Sequence, residues 1–142
     1  MDLIEIQQTT AALSEWAHVA TVGHDGDPDV APVHPVWHDD LIWFLTGATS
    51  TKVRNIAHHR RIAMHWQVDA VGDGVEVWGE AEIHTDIETK RRLWHGVFDY
   101  DLNSFAPGGP DDSPDMVFVS VRPARAVHLR SFGLGGRSTW PS

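Results

Sequence analysis

The chain has no cysteine. That removes disulfides and thiolate chemistry and fits a reducing compartment, so the expected location is the cytoplasm. No apolar run approaches the length needed to span a bilayer, and the acidic, amphipathic start does not read as a secretion signal. No surplus of basic residues exists either. The formal net charge is -9, which argues against a general nucleic-acid binder or a partner of anionic membranes. Any anion site here must be a local basic pocket. Also missing are a GxxxxGK[ST] phosphate loop, an H-E-x-x-H pair and a dinucleotide fingerprint; the run Gly133-Leu134-Gly135-Gly136 follows no strand and opens no helix.

What is present is an apolar chain of 142 residues, 42% hydrophobic, enough for one domain (1–142) around a single core. Its seven tryptophans are large buried or interface anchors. Ten histidines invite a metal hypothesis. His34 and His38 would share a strand face but stand about 13 Å apart at standard rise, too far to chelate one ion. His58 and His59 read as helix-end residues. The expectation is no metal site.

The most informative stretch is Leu41 to Ala63. Leu41–Thr46 is a strand of large apolar residues. Gly47 to Thr51 is a small-residue loop. A short helix runs from about Lys52 to His58, with Ser50 or Thr51 as N-cap and Val53, Ile56 and Ala57 on one face. Unpaired N–H groups and the dipole at a helix start favour an anion. Thr49, Ser50, Thr51, Lys52 and, close behind, Arg54 would add hydroxyls and cations there. The same residues also suit an ordinary capped helix.

Elsewhere the pattern predicts a leading helix over Asp2 to Glu15 and strands at Ala17–Val22, Asp29–Trp37, Arg61–Gln67 and Gly74–Ile83. Pro32 and Pro35 make the second strand irregular. His38-Asp39-Asp40 is a tight turn. In Gly74–Ile83, Val75, Val77, Gly79 and Ala81 alternate with Glu76, Trp78, Glu80 and Glu82, one face apolar and the other wet. Thr85 to Glu88 reads as a capping box opening a helix Ile87–Val97, with Glu88 and Arg92 spaced to pair. Phe98 to Asp115, rich in Pro, Gly and Asp, reads as a flap or solvated excursion. Met116–Arg122 and Arg125–Leu129 are two strands around Pro123, and the tail after them is flexible apart from Trp140. Six to seven mostly antiparallel strands with three helices give a mainly β protein, best closed as a barrel.

The order of these pieces resembles a known family. A leading helix, a strand–Asp-Gly turn–strand, an aromatic strand ending in Thr46, then S-T-K-V-R-N-I and a strand starting R-I-A are similar to the pyridoxamine 5'-phosphate oxidase-like, FMN-binding split β-barrel family. The helix ending RRLWHGVF, the excursion before DMVFVSV and the closing R-P-A-R-A-V-H-L resemble its general stress protein 26 group. The resemblance covers about residues 3 to 130. It implies a homodimer with an FMN in each of two clefts between subunits. By position, Val30, Ala31, Pro32, Val33 and His34 would face the isoalloxazine ring. Phe44, Leu45 and Thr46 would lie beside ring and ribityl chain. Ser50, Thr51 and Lys52 would hold the phosphate, and Trp140 could reach a partner's cleft.

The chain also departs from the family pattern. Thr51 stands where Arg is common beside the Lys, Gly74 falls where the oxidase has a flavin-touching Gln, and the oxidase's substrate-binding basic residues have no clear match. Oxidation of pyridoxamine phosphate is therefore not expected. A flavin-dependent oxidoreductase, a flavin-binding stress module without turnover, and a deazaflavin-dependent reductase all stay open. No residue stands out as an acid or base; His34 is the one to test.

Overall fold

A computed structural model describes all residues, 1–142. Helix α1 (Leu3–Leu13) opens the chain under a reciprocal cap: the Asp2 carboxylate accepts from Glu5 N–H and the Glu5 carboxylate from Asp2 N–H. Then follow β1 (Ala17–Val22), β2 (Pro28–Val33), β3 (Val36–His38), β4 (Leu41–Gly47), α2 (Thr51–His58), β5 (Arg61–Trp66), β6 (Gly74–His84), α3 (Ile87–Trp94), β7 (Met116–Leu129) and β8 (Arg137–Trp140). Every pairing is antiparallel, in the order β2-β1-β5-β6-β7-β4-β3, with β8 beside the second half of β7. The two ends of that path, β2 and β3, are joined by only His34 and Pro35. The sheet therefore curls on itself, a split barrel.

Alternation along the strands builds two cores. Inside the barrel, Val19, Val33, Ile42, Phe44, Met64, Val75, Val77, Val119 and Val121 pack with Ile6 of α1 and Ile56 of α2. On the outside of β4 and β7, Trp43 and Phe118 pack under Leu93 and Trp94 of α3, with Leu102 and Ala106. A one-residue register slip would exchange these two sets.

Several expectations need correction. The strand foreseen at Asp29–Trp37 is two strands, broken at His34-Pro35, because proline leaves no N–H for the ladder. His34 thus lies outside any strand and shares no strand face with His38. Pro123, in contrast, does not end its strand. Trp78 pairs with Arg125 and Gly79 with Pro123, so Ala124 is an extra residue and a bulge absorbs the missing donor. β7 runs unbroken through it. The tail is not loose: β8 pairs Trp140 with Ala126, and the Trp140 ring packs on the barrel core. These changes raise the strand count to eight.

The cap of α3 is Asp86, not Thr85; its carboxylate accepts from Thr89 N–H at 2.9 Å and from Thr89 Oγ1 at 2.7 Å. That helix ends at Trp94. Arg92 lies over the Trp43 ring at 5.8 Å, not against Glu88. The excursion 98–115 is held down as a cover. Lys90 Nζ donates to Ser113 O at 2.9 Å, Arg91 forks onto Asp111 at 2.6 and 3.1 Å, and Leu102 is buried. The His38–Leu41 turn has positive φ at Asp39 and Asp40, 52° and 61°, the conformation a two-residue hairpin needs and one that Asp tolerates.

Candidate functional site

The β4–α2 junction is built as the sequence implies. Ser50 is the N-cap, its Oγ accepting from Val53 N–H at 3.4 Å. Ala48 N–H donates to Asp115 O at 2.8 Å and Ser50 N–H to Gly47 O, so the loop is pinned before the helix starts. The N–H groups of Thr51 and Lys52 have no intrachain acceptor. Arg54 folds back: its guanidinium donates to Thr49 O at 2.6 Å and to Thr51 Oγ1 at 3.3 Å. It braces the loop and is not a spare cation.

Lys52 is different. It makes no ion pair and no hydrogen bond. Partial burial pushes its pKa down, and the Asp29 carboxylate on β2 pulls the other way. An ammonium left partly desolvated and without a contact partner gains most from a new anion.

Below the helix, Asn55 is buried and its Nδ2 donates to Thr21 Oγ1 at 3.0 Å. That bond fixes α2 on β1. Beside it, β2 uses only one edge, toward β1, and leaves the other unpaired. Val30, 65% exposed, and Pro32 point outward, and Ala31 is half-buried. Val33 and Phe44 are core residues, so their side chains are already spent on the barrel interior. Leu45 packs against the outer core and Thr46 is buried.

The other foreseen residues lie elsewhere. Trp140 is opposite Ala126, while Gly47 is opposite Met116, and the interval on β7 is roughly 33 Å of strand. Within one protomer Trp140 does not join the Lys52 site. His34 sits past the end of β2 in a cluster. Its Nε2 is 3.0 Å from Asp99 Oδ1, its ring stacks on Tyr100 at 4.2 Å, and Trp16 tilts over it at 4.7 Å. Burial, aided by Asp99, pushes the Tyr100 hydroxyl up to about 12, so it stays protonated. Sequence reasoning missed Asp29, Asn55, Asp99 and Tyr100. Only the run Phe98-Asp99-Tyr100, an aromatic–acid alternation inside an otherwise polar excursion, hinted at the last two.

One further surface matters. The outer faces of β1, β5, β6 and β7 form an open groove of about 570 Å³. Ala20, Val22, Ile62, Ala63 and Pro123 line it, rimmed by Arg61, Arg122 and Glu80. Arg125 lies 3.7 Å over the Trp78 ring on its floor.

An eight-strand antiparallel split barrel, with a pinned helix start and a lone lysine beside a free strand edge, defines a class of small split-barrel proteins. The chain belongs to the pyridoxamine 5'-phosphate oxidase family, whose model matches residues 6–129. Among solved structures, it is similar to a protein from Clostridium acetobutylicum described as related to general stress protein 26 of B. subtilis. Identity is 25% over 99% of this chain and 96% of that one, with a TM-score of 0.79. A protein described as an F420 reductase is 26% identical over 81% of this chain and 93% of its own, with a TM-score of 0.59. A pyridoxamine 5'-phosphate oxidase-related, FMN-binding protein from Nostoc punctiforme shares the fold at 14% identity, covering 97% of this chain and 85% of that one, with a TM-score of 0.68. No curated protein sequence matches significantly.

Proposed function

We propose that this protein is an FMN-binding, homodimeric oxidoreductase of the general stress protein 26 kind. The observation that carries the reading is Lys52: a partly desolvated ammonium with no partner, next to two unpaired N–H groups at the start of α2. A phosphate monoester suits that donor set. Lys52 would supply the charge, Thr51 and Lys52 N–H the directed bonds, and Arg54 the rigidity of the loop. Val30, Ala31 and Pro32 on the free edge of β2 would give the ring one apolar wall. FMN, when bound, would supply hydride or electron transfer at N5; the chain's share is binding, orientation and exclusion of water.

One protomer offers only that one wall. A second copy seated on the groove over β1, β5, β6 and β7 would bring the other, which is why the reading includes a dimer. The apolar floor with charges of both signs at its rim suits self-association.

The F420 reductase likeness supports a second reading, a deazaflavin in the same cleft, which has the same phosphate need. Thr51 in place of a cation, and no acid or base among Val30, Ala31 and Pro32, support a third, a flavin holder without turnover.

The test is a titration of purified protein with FMN and with the deazaflavin, followed by absorbance. FMN binding that Lys52→Ala abolishes supports the main reading. Preferential deazaflavin binding selects the second. Sustained NADH or NADPH oxidation removes the third. Binding of neither cofactor overturns all three.

A further inference from the structure

A cavity of about 270 Å³ lies between α1 and the β2–β3 break. It is not part of the Lys52 site. Its walls are Ala11, Pro35, Val36 and the indoles of Trp37 and Trp66, whose planes are within 12° of parallel at 6.5 Å. Its polar lining is Gln7, Thr10, Ser14, Glu15, His34 and Asp99. No lysine or arginine reaches it.

The hydrogen-bond account of that lining is one-sided. Thr10 Oγ1 accepts from Trp37 Nε1 at 2.9 Å and donates to a carbonyl of its own helix, so it is satisfied. Gln7 gives its amide N–H to Asp40 at 3.1 Å, which leaves its Oε1 without a partner. Ser14 Oγ accepts from Trp16 N–H and keeps its own O–H free to donate. His34 Nε2 is engaged by Asp99 Oδ1, which leaves Asp99 Oδ2 without a partner. Glu15 makes no bond at all. The unused capacity is therefore mostly acceptors, two of them carboxylates, beside flat aromatic walls. A ligand that complements such a lining brings donors, positive charge and a plane. An anion finds only neutral donors, the Ser14 hydroxyl and the second Gln7 amide N–H, and two carboxylates that repel it. The volume, just under the usual range for ligand pockets, suits a single ring.

We propose that this cavity is a binding subsite for a small, flat, nitrogen-rich cation, such as an amidinium or aminopyridinium on one aromatic ring. The ring lies against Trp37, and its N–H groups reach Asp99 and Glu15. The inference rests on neither flavin nor dimer. The cavity does adjoin the end of β2, so such a molecule would sit beside the proposed ring-facing strand.

The experiment uses benzamidine, with benzoate as its oppositely charged match in shape. Binding to the full chain without added flavin is followed by the Trp37 indole N–H resonance, assigned through Trp37→Phe. Benzamidine is expected to move that resonance and to bind at least about tenfold more tightly than benzoate. Asp99→Asn and Glu15→Gln, both at exposed positions, should each weaken it about three- to tenfold. Equal binding of benzoate, a stationary Trp37 signal, or variants that bind like the parent would overturn the proposal. None of these outcomes bears on FMN affinity, so the two readings fail separately.

Discussion

Asn55 in α2 and Thr21 in β1 meet through one buried hydrogen bond, Nδ2 to Oγ1 at 3.0 Å. It is a polar contact that holds α2 on the barrel. Thr21 is 1% exposed, so removing its partner leaves a hydroxyl with no water to turn to. Asn55→Ala should cost about 1–3 kcal/mol. Urea unfolding checks this. An unchanged urea midpoint would mean that water replaces the amide.

Lys52 gives a pH prediction with a definite sign. Its pKa is lowered in the folded chain, below the ordinary 10.5 that the unfolded chain keeps. Between those two values the unfolded state holds more protons. Stability of the free protein should therefore rise as pH climbs through that window. Phosphate affinity should move the other way, since the neutral amine no longer attracts an anion. FMN affinity measured from pH 7 up toward 10.5 should fall, and the fall should vanish in Lys52→Arg. A flat profile in the parent chain would remove Lys52 from the phosphate site.

Arg54 tests the loop. It bonds Thr49 O and Thr51 Oγ1 and contributes no free charge in this reading. Arg54→Ala should lower FMN affinity several-fold, whereas Lys52→Ala should lower it at least about a hundredfold. Equal losses would show that the guanidinium also contacts the ligand.

The groove over β1, β5, β6 and β7 tests the dimer. Ala63 lies on its floor, between Ala20 and Trp78 of the neighbouring strands. Ala63→Asp places a charge on that apolar floor, where a seated copy would have to desolvate it. Sedimentation should show a fall from two chains to one, with loss of FMN binding and an unchanged far-ultraviolet dichroism spectrum. A dimer that survives the substitution puts the interface on another face.

Gly79 tests the bulge in β6–β7. A Cβ there would collide with the Arg122 carbonyl, which is backbone and cannot swing away. Gly79→Ala should destabilise by about 1–3 kcal/mol, read as a lower urea midpoint with unchanged slope.

The sequence carried the strand and helix pattern well where a face alternates strictly. Gly74–Ile83 differs from β6 by one residue, and Ser50 caps α2 as its type and place imply. It misjudged the two prolines that matter most, because the same ring breaks one strand and is tolerated in another. The difference lies in the partner: at Pro123 the bulge at Ala124 takes up the missing N–H, whereas at Pro35 the sheet ends. Nothing local to proline says which will happen. The tail misled for a similar reason. Gly133, Gly135 and Gly136 read as slack chain, yet β7 is long enough to offer its second half an unpaired edge, and residues 137–140 take it.

By itself the chain determined the fold class, the capped helix after the aromatic strand, and the identity of the cation placed there. Periodicity, capping and charge are local, and a linear reading sees them. Only the tertiary structure decided which of those groups are already occupied. It turned Arg54 back onto its own loop, left Lys52 alone beside Asp29, buried Phe44 and Val33, and drew His34 away to Asp99 and Tyr100. Whether a polar group remains available depends on contacts between residues far apart in the chain, and those exist only once the sheet has closed.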